Sequence, residues 1–282
     1  MSTIKVSIDR IVVEYKDVYW DFFNPFKQRL CDYYGIKEYI KQWGYKYHLH
    51  IKESADEYLH ISYQQWGEGR SRKHTLQIET NPLHLNRFSR WLLPLQNQSS
   101  SIRFVRSDIA YDIPYPMTNV FTSSLTGRRM NLYEGTRYYG KKSQRQQHGY
   151  CRVYDKRAER LEKNGIDIGH ELTRMEIVYR PEEKIILQNL IQHPPEFNGL
   201  YSCKIITETT SIKPIRRAML LAVQHQHMTL QDFSGHHKRE LKKALDAQQH
   251  VDLNLLAQQH WDDMVTVPCA ILCGAVNRGL AS

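Results

Sequence analysis

Residues 137–140 and 150–156 each alternate apolar or aromatic with polar side chains, and a polar, cationic stretch joins them. Alternation on both sides of a short connection is the pattern of a β-hairpin. Side chains two apart on a strand share a face, so Arg152, Tyr154 and Lys156 are predicted to point the same way. A tyrosine between two cations is predicted to lie in a positive field, which favours phenolate over phenol and attracts a phosphodiester. For this stretch alone, the alternative is a solvated strand face with one half-buried aromatic ring, since charged side chains mostly face water.

The rest of the chain is mostly strand-like up to about residue 180. Residues 4–15, 45–51, 58–66, 75–80, 102–113 and 172–179 carry β-like patterns, with Asp9 unusually placed inside the first. Asn24-Pro25 is expected to open a helix that Gly35 closes. A second helix carries Leu85, Phe88, Trp91, Leu92 and Leu95 on its apolar stripe. A short charged helix is predicted over residues 157–164, capped by Gly165, and another from Pro181 with Ile185, Ile186 and Leu190. From Ile212 onward strands are expected to disappear, leaving helical periodicity rich in basic and amide side chains. The fold class expected is α+β, a mainly antiparallel sheet with flanking helices. Residues 1–211 would form a catalytic domain and residues 212–282 a helical C-terminal segment for DNA binding or dimerisation.

A formal net charge of +9 over 282 residues makes an acidic polymer the expected partner, with nucleic acid first. Aromatic residues at 11%, eighteen of them tyrosines, argue against disorder. The five cysteines are scattered and odd in number, giving neither a disulfide framework nor a zinc ligand set, so a reducing compartment fits. The first residues lack a cationic leader, and no apolar run approaches membrane length. A soluble, cytoplasmic protein without a membrane partner is the expectation.

Acidic residues on the strands ask for a cation. Asp108 and Asp112 flank Ala110 on one strand face, Glu176 shares its face with Arg174, and Glu79 shares its face with Gln77. If these strands are neighbours, the acids converge into a hard-oxygen cluster suited to Mg²⁺ or Mn²⁺. The alternative is a set of separate salt bridges with Arg106 and Arg174 as partners. Tyrosine, metal and basic surface together suit one reaction. A divalent ion polarises a phosphodiester, a tyrosinate attacks phosphorus, the DNA 3′-hydroxyl leaves, and a phosphotyrosine link conserves the bond energy for rejoining.

Several short motifs are similar to those of the Rep_trans family of rolling-circle plasmid replication initiators, which includes relaxases of some conjugative elements. Arg152-Val153-Tyr154-Asp155-Lys156 resembles that family's R-I-Y-[DN]-K segment, and Tyr138-Tyr139-Gly140 its upstream Y-F-G. Val105 to Asp112 resembles T-R-x-D-h-A-h-D, Thr173 to Ile177 resembles R-h-E-h, and Gln77 to Pro82 resembles R-I-E-F-N-P. Val6-Ser7-Ile8-Asp9 resembles the S-F-D near the family's first strand. The resemblance runs from about residue 5 to 180. It implies Tyr154 as the nicking tyrosine, Asp108 and Glu176 as the foremost metal ligands, Glu79 and Asp112 as further ones, and Arg152 and Lys156 on the scissile phosphate. It also implies a dimer that binds a double-stranded origin, nicks an extruded hairpin and recruits a host helicase of the first superfamily. Two departures stand out: the turn between Gly140 and Tyr154 is longer than the family's, and Val178 replaces its second acid.

Cationic turns offer further DNA contacts: Arg70, Arg72 and Lys73 in one, Lys141, Lys142 and Arg145 in the central hairpin. His48-Leu49-His50 supplies a competing metal site, because a His-hydrophobic-His strand resembles the ligand strand of the HUH endonucleases, which also use a tyrosine. A conjugative relaxase of the same chemistry, a non-catalytic DNA-binding repressor and a nuclease that activates water are the other readings. The repressor leaves Asp108, Asp112, Glu79 and Glu176 unmotivated, because acids repel DNA.

Overall fold

Strands form where side chains alternate, and long-range pairing adds several that alternation does not announce. The computed structural model describes residues 3–54, 56–67, 73–206, 212–225, 227–228 and 230–274. Its strands are β1 (Lys5–Lys16), β2 (Tyr39–Ile40), β3 (Tyr47–Lys52), β4 (Tyr58–Trp66), β5 (Lys73–Thr80), β6 (Ser101–Ile113) and β7 (Val120–Ser124). They continue with β8 (Met130–Tyr133), β9 (Thr136–Tyr139), β10 (Cys151–Asp155), β11 (Thr173–Tyr179), β12 (Ile185–Ile186), β13 (Tyr201–Ile205) and β14 (Gln249–Val251). The helices are α1 (Trp20–Tyr34), α2 (Leu85–Gln98), α3 (Lys156–Asn164), α4 (Pro214–Gln224), α5 (Gly235–Asp246), α6 (Leu253–Gln259) and α7 (Trp261–Cys273). The class is α+β, with an eleven-stranded, mainly antiparallel sheet and a three-stranded sheet of order β14-β13-β7.

The chain divides into two compact units. The first comprises the described residues of Met1–Val6, Ala110–Val178 and Glu196–Gln258; the second those of Ser7–Ile109, Tyr179–Pro195 and Gln259–Ser282. The stretch from residue 212, expected to stand as one helical segment, is thus shared between them.

In the second unit the strand order is β2-β3-β4-β5-β1-β6. The registers place His48 opposite Ser62, His60 opposite Glu79 and Glu14 opposite Gln77, so one sheet face is largely polar. The other face presents Leu49, Ile61, Tyr63, Leu76, Ile78, Val13 and Tyr15, all buried. Phe23 of α1 stacks on Tyr63 at 3.9 Å between ring centroids, and Trp20 lies 4.9 Å from Tyr47. Those contacts draw residues 20–23 into the helix, so Pro25 lies inside α1 rather than opening it. Gly35 closes α1 in the left-handed conformation at φ 63°, which glycine adopts at no steric cost. The helix expected from Pro181 does not form. Ile185 and Ile186 pair instead with Phe104 and Arg103 of β6, and Leu187–Gln192 make a 3-10 helix. Ladder bonds and the Trp261 indole, which donates to the Leu190 carbonyl at 2.9 Å, hold that segment.

In the first unit β11-β10-β9-β8 are neighbours, and the predicted central hairpin is β9 with β10. Gly140, at φ 118°, starts its turn where a Cβ would lie 3.1 Å from the Tyr150 ring. Asp155 caps α3 by accepting from the Ala158 amide at 2.9 Å, and Gly165 ends it in the left-handed region. Strands do not vanish after residue 212: Val251 pairs with Cys203, because β13 still offers an edge to hydrogen-bond. Phe121, Ile206, Leu220, Phe233 and Leu241 form a local apolar core beneath α4 and α5. Among the described residues no helix is long and apolar enough to cross a membrane.

Candidate active site

Register decides what surrounds Tyr154. On β10 and β11 Arg152 lies opposite Glu176, and Tyr154 opposite Arg174. Glu176 is therefore diagonal to Tyr154 on the same face, within reach of a long side chain. The Tyr154 hydroxyl donates to Glu176 Oε1 at 2.6 Å, and Arg152 Nε donates to Glu176 Oε2. Glu176 is buried, with 2% of its surface exposed. Arg174 holds both oxygens of Asp112, at 2.6 and 2.8 Å. The Arg152 guanidinium and the Lys156 ammonium flank the Tyr154 ring, 5.8 and 5.7 Å from its centroid. Lys156 is itself buried and bonds Glu159 at 2.6 Å, so its charge is already partnered.

Arg152 and Tyr154 share a face as expected, whereas Lys156 opens α3 instead of extending β10 and only its ammonium reaches the ring, and the expected phenolate does not follow. Burial, then the Glu176 carboxylate, push the Tyr154 phenol well above its usual range; Arg152 and Arg174 pull it back only in part. What stands here is a neutral phenol beside a carboxylate that can take its proton. A nucleophile hydrogen-bonded to a base, with the base oriented by a third group, is the general arrangement of an activated nucleophile.

A second acid group lies within the second unit. Glu79 accepts from Arg10 and Arg106, each at 2.9 Å, and Asp108 accepts from Arg106 at 3.0 Å with Arg10 at 3.5 Å. Arg106 is 4% exposed. The sequence alternative in which Arg106 and Arg174 serve the acids as ion-pair partners matches these contacts. Asp9, Glu79 and Asp108 all add negative potential at Tyr58, whose phenol is raised first by burial. Among the described residues no three acidic, histidine or cysteine side chains stand close enough to enclose an ion. All four oxygens of Glu79 and Asp108 are taken by Arg10 and Arg106, so this pair would meet a hard divalent cation only by displacing a guanidinium. Asp112 does not fit, since Arg174 occupies both its oxygens, and Glu176 is engaged through both of its own.

His48 and His50 share a face as expected, but hydrogen bonds occupy His48. Its Nε2 donates to the Tyr45 carbonyl at 2.6 Å, while Nδ1 faces Ser62 Oγ at 2.9 Å and His60 Nε2 at 3.2 Å. Tyr39 adds its hydroxyl 3.1 Å from His60 Nε2. His50 is exposed. Residue-by-residue reading missed His60, Ser62 and Arg10. The signal was present, since His60 and Ser62 alternate on β4 as His48 and His50 do on β3, but only the register joins the strands.

Of the proposed DNA contacts, Lys141, Lys142 and Arg145 are exposed on the β9–β10 turn, and Lys73 is exposed at the start of β5. Arg70 and Arg72 lie outside the described residues. No protein-family model and no curated protein matches this chain.

Proposed function

We propose that this chain is a DNA-nicking and strand-transferring replication initiator whose nucleophile is Tyr154. The observation that carries the reading is the 2.6 Å bond from the Tyr154 hydroxyl to Glu176, with Arg152 on the far oxygen. In the step proposed, Tyr154 Oη forms a bond to phosphorus as its proton passes to Glu176 Oε1. The phosphorus–O3′ bond breaks, and the departing oxygen takes a proton from solvent water to become a 3′-hydroxyl primer. The product is a 5′-phosphotyrosine, and reversal rejoins the strand with the proton returned. Arg152 orients Glu176 and, with about a third of its side chain exposed, can also meet a phosphate.

Mg²⁺ or Mn²⁺, when bound, would supply Lewis-acid polarisation of a phosphodiester oxygen. A double-stranded origin, a second copy of the chain and a host helicase are the partners that go with this reading. A conjugative relaxase would use the same groups.

Incubation with supercoiled origin plasmid and Mg²⁺, followed by mass spectrometry, tests it. A nucleotide adduct on Tyr154 supports the proposal. A free 5′-phosphate would indicate a nuclease that activates water, and intact DNA a binding protein alone; either outcome removes the tyrosine mechanism.

A further inference from the structure

The outward face of α5 is cationic and its inward face is committed. On this twelve-residue helix Leu241 is buried and Leu245 half-buried against the core of Phe121, Ile206, Leu220 and Phe233. Side chains three and four apart share a helical face, which puts His236, Arg239 and Lys243 on the opposite side, flanked by Lys242. These four are all exposed, as is Lys238, which lies on the side of Leu241 three residues before it. The helix carries two acids, and both are answered from elsewhere: Glu240 by Arg216 of α4, Asp246 by Lys204 of β13 at 3.5 Å. No ion pair among the described residues engages Lys238, Arg239, Lys242 or Lys243. Ser234 caps the helix start, whose dipole adds to the same positive field.

We infer that α5 docks double-stranded DNA, with Arg239, Lys242 and Lys243 on backbone phosphates. The inference rests on the reading of the chain as a DNA enzyme and names the element that holds the duplex. A helix of twelve residues is about 18 Å long and, with side chains, about as wide as the major groove. Its outward cations lie at intervals that a phosphate row can meet. An acidic protein segment would be matched by scattered charge. A stripe on a helix whose two acids, Glu240 and Asp246, are already paired with Arg216 and Lys204, backed by a fixed core, suits the regular charge of a duplex, roughly one per 1.7 Å of axis. Cations on phosphates position a protein without reading sequence, so the stripe is assigned to docking and not to base recognition.

The test measures duplex affinity against salt for the full chain carrying Tyr154→Phe, so that no strand is cut. Arg239→Gln with Lys243→Gln should flatten the log–log salt slope by about 1.8, because each phosphate contact contributes about 0.9. Lys37→Gln, an exposed lysine of the second unit, should leave the slope close to that of the parent. An unchanged slope in the α5 variant, with an unchanged unfolding midpoint, overturns the inference. So does an equal loss on single-stranded oligonucleotide, which would indicate general charge attraction. Adduct formation by the wild-type chain is scored in parallel. Adduct with no slope change removes the docking role alone, while a slope change with no adduct removes the tyrosine mechanism alone.

Discussion

Tyr154 and Glu176 meet at 2.6 Å because their strands pair one step out of line, Tyr154 opposite Arg174 and Arg152 opposite Glu176. The diagonal contact is a consequence of register, and it makes the phenol a proton donor to a buried carboxylate. Tyr154→Phe should therefore abolish covalent attachment to DNA while duplex binding persists. It should also destabilise the chain by about 1.5–3 kcal/mol, the usual worth of a hydrogen bond to a charged group. Gel mobility after denaturation and a urea titration read the two effects. Any residual adduct would transfer the nucleophile to another residue.

Glu176→Gln separates holding from proton transfer. The amide oxygen can still accept from Tyr154, but it cannot take the proton. Loss of a positioned base costs about 10²–10⁴ in rate. Single-turnover nicking of an origin oligonucleotide should slow by that factor with little change in binding. A wild-type rate would leave Glu176 a structural partner only.

The β9–β10 hairpin was legible because its alternation is local, and so were Gly35, Gly165 and the acid-bearing strands β5, β6 and β11. The short strands β7, β12, β13 and β14 were not. Their two to five residues carry no period of their own and exist because a neighbouring strand offers hydrogen bonds. Ile185 and Ile186 illustrate the point: an apolar pair reads equally as helix stripe or strand, and pairing with Phe104 and Arg103 decides it. The state of Tyr154 was misread for a related reason. Arg152 and Lys156 are visible two residues away, whereas Glu176 is twenty-two residues distant and becomes a neighbour only through register.

Arg10 and Arg106 bridge Glu79 and Asp108, so a divalent ion must displace them to bind there, and such binding is measurable apart from any DNA chemistry. Asp108→Asn removes one charge while keeping an oxygen for Arg106, 3.0 Å away. Calorimetric titration should show weaker Mn²⁺ binding in Asp108→Asn and in Glu79→Gln than in the wild type. Equal affinity across the three proteins would remove this pair as the ion's holders.

Arg137, fully buried on β9, is a cation whose described partners are oxygens of neutral groups. Its guanidinium donates to the carbonyls of Val120 at 2.9 Å and Met117 at 3.1 Å and to the Gln224 side chain of α4. Burial pushes its pKa down, yet an arginine remains charged far above neutrality. Arg137→Met would fill the volume and strand those acceptors without donors. The expected loss is about 2–4 kcal/mol, since a single unsatisfied buried group costs about 1–3. Arg137→Lys should recover only part of it, because one ammonium cannot span the fork. A methionine variant as stable as wild type would mean the acceptors find other donors.

Stability should also fall in acid through His60. Burial, reinforced by the nearby cations and opposed by Glu79, lowers its pKa from 6.5 to about 4. In the unfolded chain the imidazole takes a proton as pH drops below 6.5; in the folded chain it resists until about 4. The unfolded state therefore binds more protons throughout that window, and stability decreases as pH falls from 6.5 to 4, then levels. The difference between 6.5 and about 4 sets a ceiling of roughly 3 kcal/mol, and solvent screening makes the loss a fraction of it. His60→Gln keeps an acceptor for Tyr39 and removes the titration. Urea midpoints at pH 7 and pH 4.5 should then differ less in the variant than in the wild type. The direction excludes a simple alternative: were His60 held protonated by Glu79, its cross-strand partner, its contribution would rise as pH fell toward 6.5 and stay level below it.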